Sequence, residues 1–91
     1  MEHELKIWPQ WYNRVLDGSK TFEIRKNDRE FQYGDTVLLR EWNPDPINAT
    51  SKAPQGYTGS KDLRFKIGYV HVLDSQTVVF SLLPTKQSKS K

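Results

Sequence analysis

Lys20, Thr21, Glu23 and Arg25 stand within six consecutive residues, Lys20-Thr21-Phe22-Glu23-Ile24-Arg25, and the polar run continues as Lys26-Asn27-Asp28-Arg29. On an extended strand Thr21, Glu23 and Arg25 share one face, and Phe22 and Ile24 share the other. A guanidinium offers a planar fork to a phosphate or a nucleobase edge, and a carboxylate accepts from an exocyclic amine. A small polar cleft for a nucleotide-like ligand is therefore one reading. A salt-bridged outer face, with Glu23 paired to Arg25 or Lys20, accounts for the same residues. Trp42 opens a long loop and is a candidate to stack on a base. Trp8, Trp11 and Tyr12 could also stack, although the helical spacing of Trp11 and Val15 suits a core position for Trp11. Asp28 and Arg29 are expected to pair and shape a turn. His3 and His71 are far apart and lack a nearby carboxylate set, and no Gly-rich phosphate loop is present, so no metal or cofactor is expected.

The elements that must position these groups follow from periodicity. His3 to Ile7 alternates as a short first strand. Pro9 suits the first position of a helix over residues 9–17, and Gly18 stops it by taking the left-handed conformation at no steric cost. Lys20 to Lys26 is the clearest strand, with Phe22 and Ile24 expected in the core beside Leu38, Val70 and Val79. Tyr33-Gly34-Asp35 turns into a strand over Thr36–Trp42. Asn43 to Asp62 holds three Pro and two Gly and reads as a long, mobile loop. Leu63–Leu73 and Thr77–Leu83 form a hairpin across Asp74-Ser75-Gln76. The order β-α-β-β-loop-β-β predicts a small, mostly β, mostly antiparallel domain with one main helix near the N-terminus. Closure into a barrel would remove its exposed edges.

Ninety-one residues make one domain with a modest core. The division expected is a domain over residues 1–85 and a disordered basic tail over 86–91. Without cysteine there is no disulfide framework or thiolate metal site. No apolar run reaches a membrane-spanning length, and the acidic start lacks a signal-peptide pattern, so a cytoplasmic address is expected. The formal net charge is +3, but Lys86, Lys89 and Lys91 lie in the tail and leave eleven basic residues against eleven acidic ones. Strong, sequence-independent binding of nucleic acid is not favoured by such a body. Any anion site must come from local clustering.

The stretch Gly18-Ser19-Lys20-Thr21-Phe22-Glu23-Ile24-Arg25 resembles the Gly-x-Lys-x-x-Glu-x-Arg signature of ASCH domains. With His3-Glu4-Leu5-Lys6, Asn27-Asp28-Arg29, Gly34-Asp35 and Arg40-Glu41-Trp42, the chain looks like the small DUF3850 branch found in bacteria and their phages. The resemblance implies a PUA-like (ASCH) β-barrel with a cleft beside the helix–strand junction, and binding of RNA or a nucleotide-like ligand. One ASCH branch is similar to an amidohydrolase that deacylates N4-acetylcytidine with a Lys, a nucleophilic Thr and a later Glu. That Lys matches Lys20. Its Thr position holds Glu23 here, and its later Glu has no clear counterpart, since Glu41 is the last glutamate. Another ASCH member resembles a ribonuclease.

Three functions follow as expectations. The first is a binding module in which Lys20, Glu23 and Arg25 hold RNA or a nucleotide, with Lys6 and Trp42 at the margin. The second is a small hydrolase of a modified nucleoside or RNA, with Lys20 as a base or charge stabiliser, Glu23 as general acid–base and Thr21 as a substitute nucleophile only in a rearranged site. The third is an interaction protein without nucleic-acid contact, of phage origin, using the long loop.

Overall fold

The computed structural model of the chain describes residues 1–44 and 55–85. Strand β1 (Glu2–Ile7) alternates as its sequence does: His3, Leu5 and Ile7 are buried, and Glu2, Glu4 and Lys6 are exposed. Trp8 is extended and Pro9 opens helix α1 (Pro9–Leu16), where a missing N–H costs nothing. Tyr12 and Val15 bury the inner side of α1 against the sheet, and the Tyr12 hydroxyl donates to the Lys61 carbonyl at 2.7 Å. Trp11 is 48% exposed, so the core position expected for it is taken by Tyr12. Gly18, at φ +86°, ends the helical segment.

Strands β2 (Phe22–Lys26), β3 (Thr36–Asn43), β4 (Gly56–Tyr57), β5 (Leu63–Val72) and β6 (Thr77–Pro84) complete the fold. The sheet runs β1-β3-β5-β6-β2, with β4 attached to β3. β1 lies parallel to β3, and the other pairs are antiparallel. The β5–β6 hairpin forms across the turn expected at Asp74-Ser75-Gln76, where the Asp74 carboxylate accepts the Gln76 N–H at 2.7 Å. This is a small, mostly β domain with a single short helix among the described residues. None of its described helices is long and apolar enough to cross a membrane.

The phase of three strands is the reverse of that expected. Val37 and Leu39 of β3 and Val78 and Phe80 of β6 are buried, while Leu38 and Val79 are only partly so. On β2, Phe22 and Ile24 are 40% and 53% exposed, whereas Glu23 is 4% exposed. Register decides this. Glu23 pairs with Phe80 and Arg25 with Val78, so the polar residues of β2 take the inner face of β6. Val70 is partly buried against the core, as expected.

Two further expectations change. Residues 43–62 do not form one uninterrupted loop, because Gly56 and Tyr57 pair with Asn43 and Trp42. Of the segment expected to be mobile, residues 45–54, like the expected disordered tail 86–91, lie outside the described residues. Nor is the sheet closed: β1 and β2 are its two ends, and no backbone ladder joins them among the described residues. A side chain spans the opening instead. Arg25 Nη2 of β2 donates to the Lys6 carbonyl of β1 at 2.7 Å.

Candidate functional site

The site lies along that opening. The turn after α1 supplies its first cation. Asp17 Oδ1 accepts the Ser19 hydroxyl at 2.7 Å and the Ser19 N–H at 2.8 Å, and these bonds hold the Asp17 carboxyl below the usual carboxylate range. The Lys20 N–H donates to the Arg14 carbonyl at 2.9 Å, which ties the turn back to the helix. Lys20 is thereby folded over β2. Its ammonium donates to the Phe22 carbonyl at 2.7 Å and to Glu23 Oε1 at 3.2 Å.

Glu23 is the buried centre of the group. Lys20 holds Oε1, and Arg25 Nη2 stands 3.6 Å from Oε2, too far for a hydrogen bond. Glu23 Oε2 and Arg25 Nε are both buried with no hydrogen-bond partner. Removing a carboxylate from water costs several kcal/mol unless paired ions and hydrogen bonds compensate. Two cations provide the pairing here, but the hydrogen-bond complement is incomplete. One buried acceptor and one buried donor remain without partners, on two side chains that line a cleft.

Apolar side chains wall that cleft. A hollow of about 210 Å³ is lined by Trp8, Trp11, Ile7 and Ile24 together with Lys6, Glu23 and Arg25. A neighbouring hollow of about 390 Å³ is lined by Trp11, Lys20, Phe22, Glu23 and Ile24. Trp11, Glu23 and Ile24 are common to both. The outward phase of Phe22 and Ile24 thus gives the cleft its apolar sides. A larger hollow of about 690 Å³ lies away from this group, among Glu2, His3, Glu4, Arg29, Glu30, Gln32 and Asp35. There His3 Nε2 is hydrogen-bonded to Asp35 at 2.9 Å.

Of the residues singled out in the sequence, Lys20, Glu23 and Arg25 meet at one place. Lys6 contributes its carbonyl there, while its ammonium turns to the Trp42 ring, 4.0 Å from the centroid. Trp42 lines neither hollow of the cleft. Thr21 is exposed, lines neither hollow, and uses its carbonyl to accept the Leu82 N–H. Asp28 and Arg29 pair at 3.5 Å on the surface. Sequence reasoning missed Phe22 and Ile24 as walls and the Lys6 carbonyl as a ligand of Arg25. A Phe and an Ile flanking a Glu that must turn inward were the available signal for the walls. A backbone carbonyl leaves none.

A family model described as a domain of unknown function, DUF3850, matches residues 2–82. An uncharacterized 12.9 kDa protein in the GpA 3′ region of Escherichia phage P2 is 45% identical over 40 residues. That stretch is 44% of this chain and 37% of the phage protein, so the chain covers well under two thirds of that relative.

Proposed function

We propose that this chain, which belongs to the DUF3850 family, is a binding module that holds a nucleotide or a single-stranded RNA element by its base in the Lys20–Glu23–Arg25 cleft. The observation that carries the reading is the pair of buried, unpartnered atoms, Glu23 Oε2 and Arg25 Nε, on two side chains that line an aromatic-walled hollow. A carboxylate at that depth repels a phosphate. It suits a flat group that presents a donor beside an acceptor, as nucleobase edges do. Trp8 and Trp11, each 48% exposed, offer ring surface to such a group. Lys20 and Arg25 outnumber the one carboxylate and leave positive charge for the ligand's phosphate. The Gly18-x-Lys20-x-x-Glu23-x-Arg25 pattern supports the finer reading of an ASCH-type, PUA-like fold, in which the Arg25 bridge to Lys6 stands where a barrel would close. Hydrolysis is the weaker reading, because Thr21 lines neither hollow beside Glu23.

The test is titration of the protein with the four ribonucleoside 5′-monophosphates and a short single-stranded RNA, followed by quenching of tryptophan fluorescence and by calorimetry. Binding is expected, and Glu23→Gln should weaken it about tenfold or more, since the hydrogen bond loses its charge and the amide adds a donor where the ligand presents one. Circular dichroism should leave the variant's fold unchanged. Absence of binding by every probe at moderate salt, or equal binding by Glu23→Gln, overturns the reading.

A further inference from the structure

Lys6 belongs to the cleft by its backbone and to a second group by its side chain. Its carbonyl accepts from Arg25, and its ammonium lies on the Trp42 ring. The β3–β4 register sets Trp42 opposite Tyr57, and the two rings meet edge to face at 5.0 Å and 85°. The Arg40 guanidinium lies 4.0 Å from the Tyr57 ring centroid. Cation, ring, ring and cation therefore follow one another from the edge of the cleft along the sheet. The core does not account for this row: Lys6 is exposed and Tyr57 is 45% exposed. Arg40 is neutralised by Glu4 at 2.9 Å and Asp62 at 3.4 Å, whereas Lys6 pairs with no carboxylate among the described residues.

We infer that Lys6, Trp42 and Tyr57 form a second nucleotide subsite, so that the ligand is a single-stranded oligonucleotide with one base in the cleft and a neighbouring base on this row. The inference rests on the reading of the cleft as a base site. Aromatic rings stack on any base, and the Lys6 ammonium, which covers the Trp42 ring and pairs with no carboxylate among the described residues, moves on binding to the phosphate that joins two nucleotides and gives up that ring to the neighbouring base. Continuity through a single residue, Lys6, makes the two places parts of one path.

Calorimetry with a 5′-mononucleotide and a single-stranded tetraribonucleotide of the same base tests it. The tetramer should bind about tenfold or more tightly than the mononucleotide. Tyr57→Ala, at an exposed position, and Trp42→Ala should each reduce that gain while leaving mononucleotide affinity unchanged. Equal affinities for the two ligands, or an equal loss for both in Tyr57→Ala, overturns the subsite and leaves the cleft reading standing. Tyr57-dependent binding of the tetramer without any mononucleotide binding overturns the cleft reading and supports the row as a nucleotide site. If neither ligand binds, both fall.

Discussion

The Glu23 carboxylate lies on the face of β2 that meets Phe80, a fully buried ring, and its neighbours are chosen accordingly. Lys20 reaches it from the turn and Arg25 from two positions along the strand. Arg25 also carries a second duty, since its Nη2 bridges to β1 at Lys6. Arg25→Ala removes a charge-assisted hydrogen bond and leaves Glu23 to Lys20 alone. Urea unfolding should show a loss of about 2 kcal/mol, together with weakened ligand binding. Arg64→Ala provides the contrast. Arg64 pairs with Glu2 on an exposed surface, where such pairs contribute little, so its cost should stay within about 0.5 kcal/mol. Equal costs for the two variants would mean that the burial of Glu23 does not depend on Arg25. The convergence of Lys20, Glu23 and Arg25 was legible in their spacing, once the turn was assumed to fold back. The direction of Glu23 was not, because alternation identifies two faces and only pairing with β6 says which is inside.

Among the elements, β5 shows how one residue sets a register. Its pairing with β6 shifts between Ile67 and Val70, and Gly68 sits buried in the bulge. A Cβ there would fall on Ser81 Oγ and come within 3.1 Å of Leu83 Cγ. Ser81 Oγ has little freedom to retreat, because it accepts the Tyr69 N–H at 2.8 Å. Gly68→Ala should therefore cost about 1–3 kcal/mol and lower Tm by about 5–20 °C in a scan of thermal unfolding. Adding Ser81→Ala should restore part of the loss by clearing the space. No recovery in the double variant would assign the cost to the backbone instead of the contact. The same sheet explains why the binding elements stand where they do. β1 and β2 are both edges, so their outer backbone groups are free to take side chains such as Arg25.

For the whole molecule, one contribution to the acid limb of stability comes from the opposite end of β1 from the cleft. Asp35 accepts from His3, from the Gln32 N–H and from the terminal amine, and its own carbonyl accepts the Ile67 N–H at 2.7 Å. It thus ties β1, the turn before β3, and β5 together. The hydrogen bond from His3, chiefly, holds its carboxyl below the usual carboxylate value, and partial burial opposes the shift. A carboxyl depressed on folding adds stability above its unfolded pKa of about 3.9 and loses it as pH falls through the lower folded value. Urea midpoints measured from about pH 7 to about pH 2 should fall along this limb in the wild type. Asp35→Asn should start lower at neutral pH and follow a flatter acid limb. An unchanged slope in the variant would move the origin of acid sensitivity to other carboxylates.

The sequence by itself determined the elements and the residue types available to the site. Period-two alternation marked β1 and β5, the turn at Asp74-Ser75-Gln76 placed β6, Pro9 and Gly18 bounded α1, and the Lys20–Arg25 spacing marked the polar group. These are local properties, carried by backbone geometry and by side chains a few residues apart. Tertiary structure alone decided that Phe22 and Ile24 face outward as walls, that Trp11 yields the core to Tyr12, and that Lys6 joins the cleft through its carbonyl. It also decided that the sheet stays open between β1 and β2. Each depends on which strand lies beside which, and in what register, a relation between residues up to several tens of positions apart that no local period encodes.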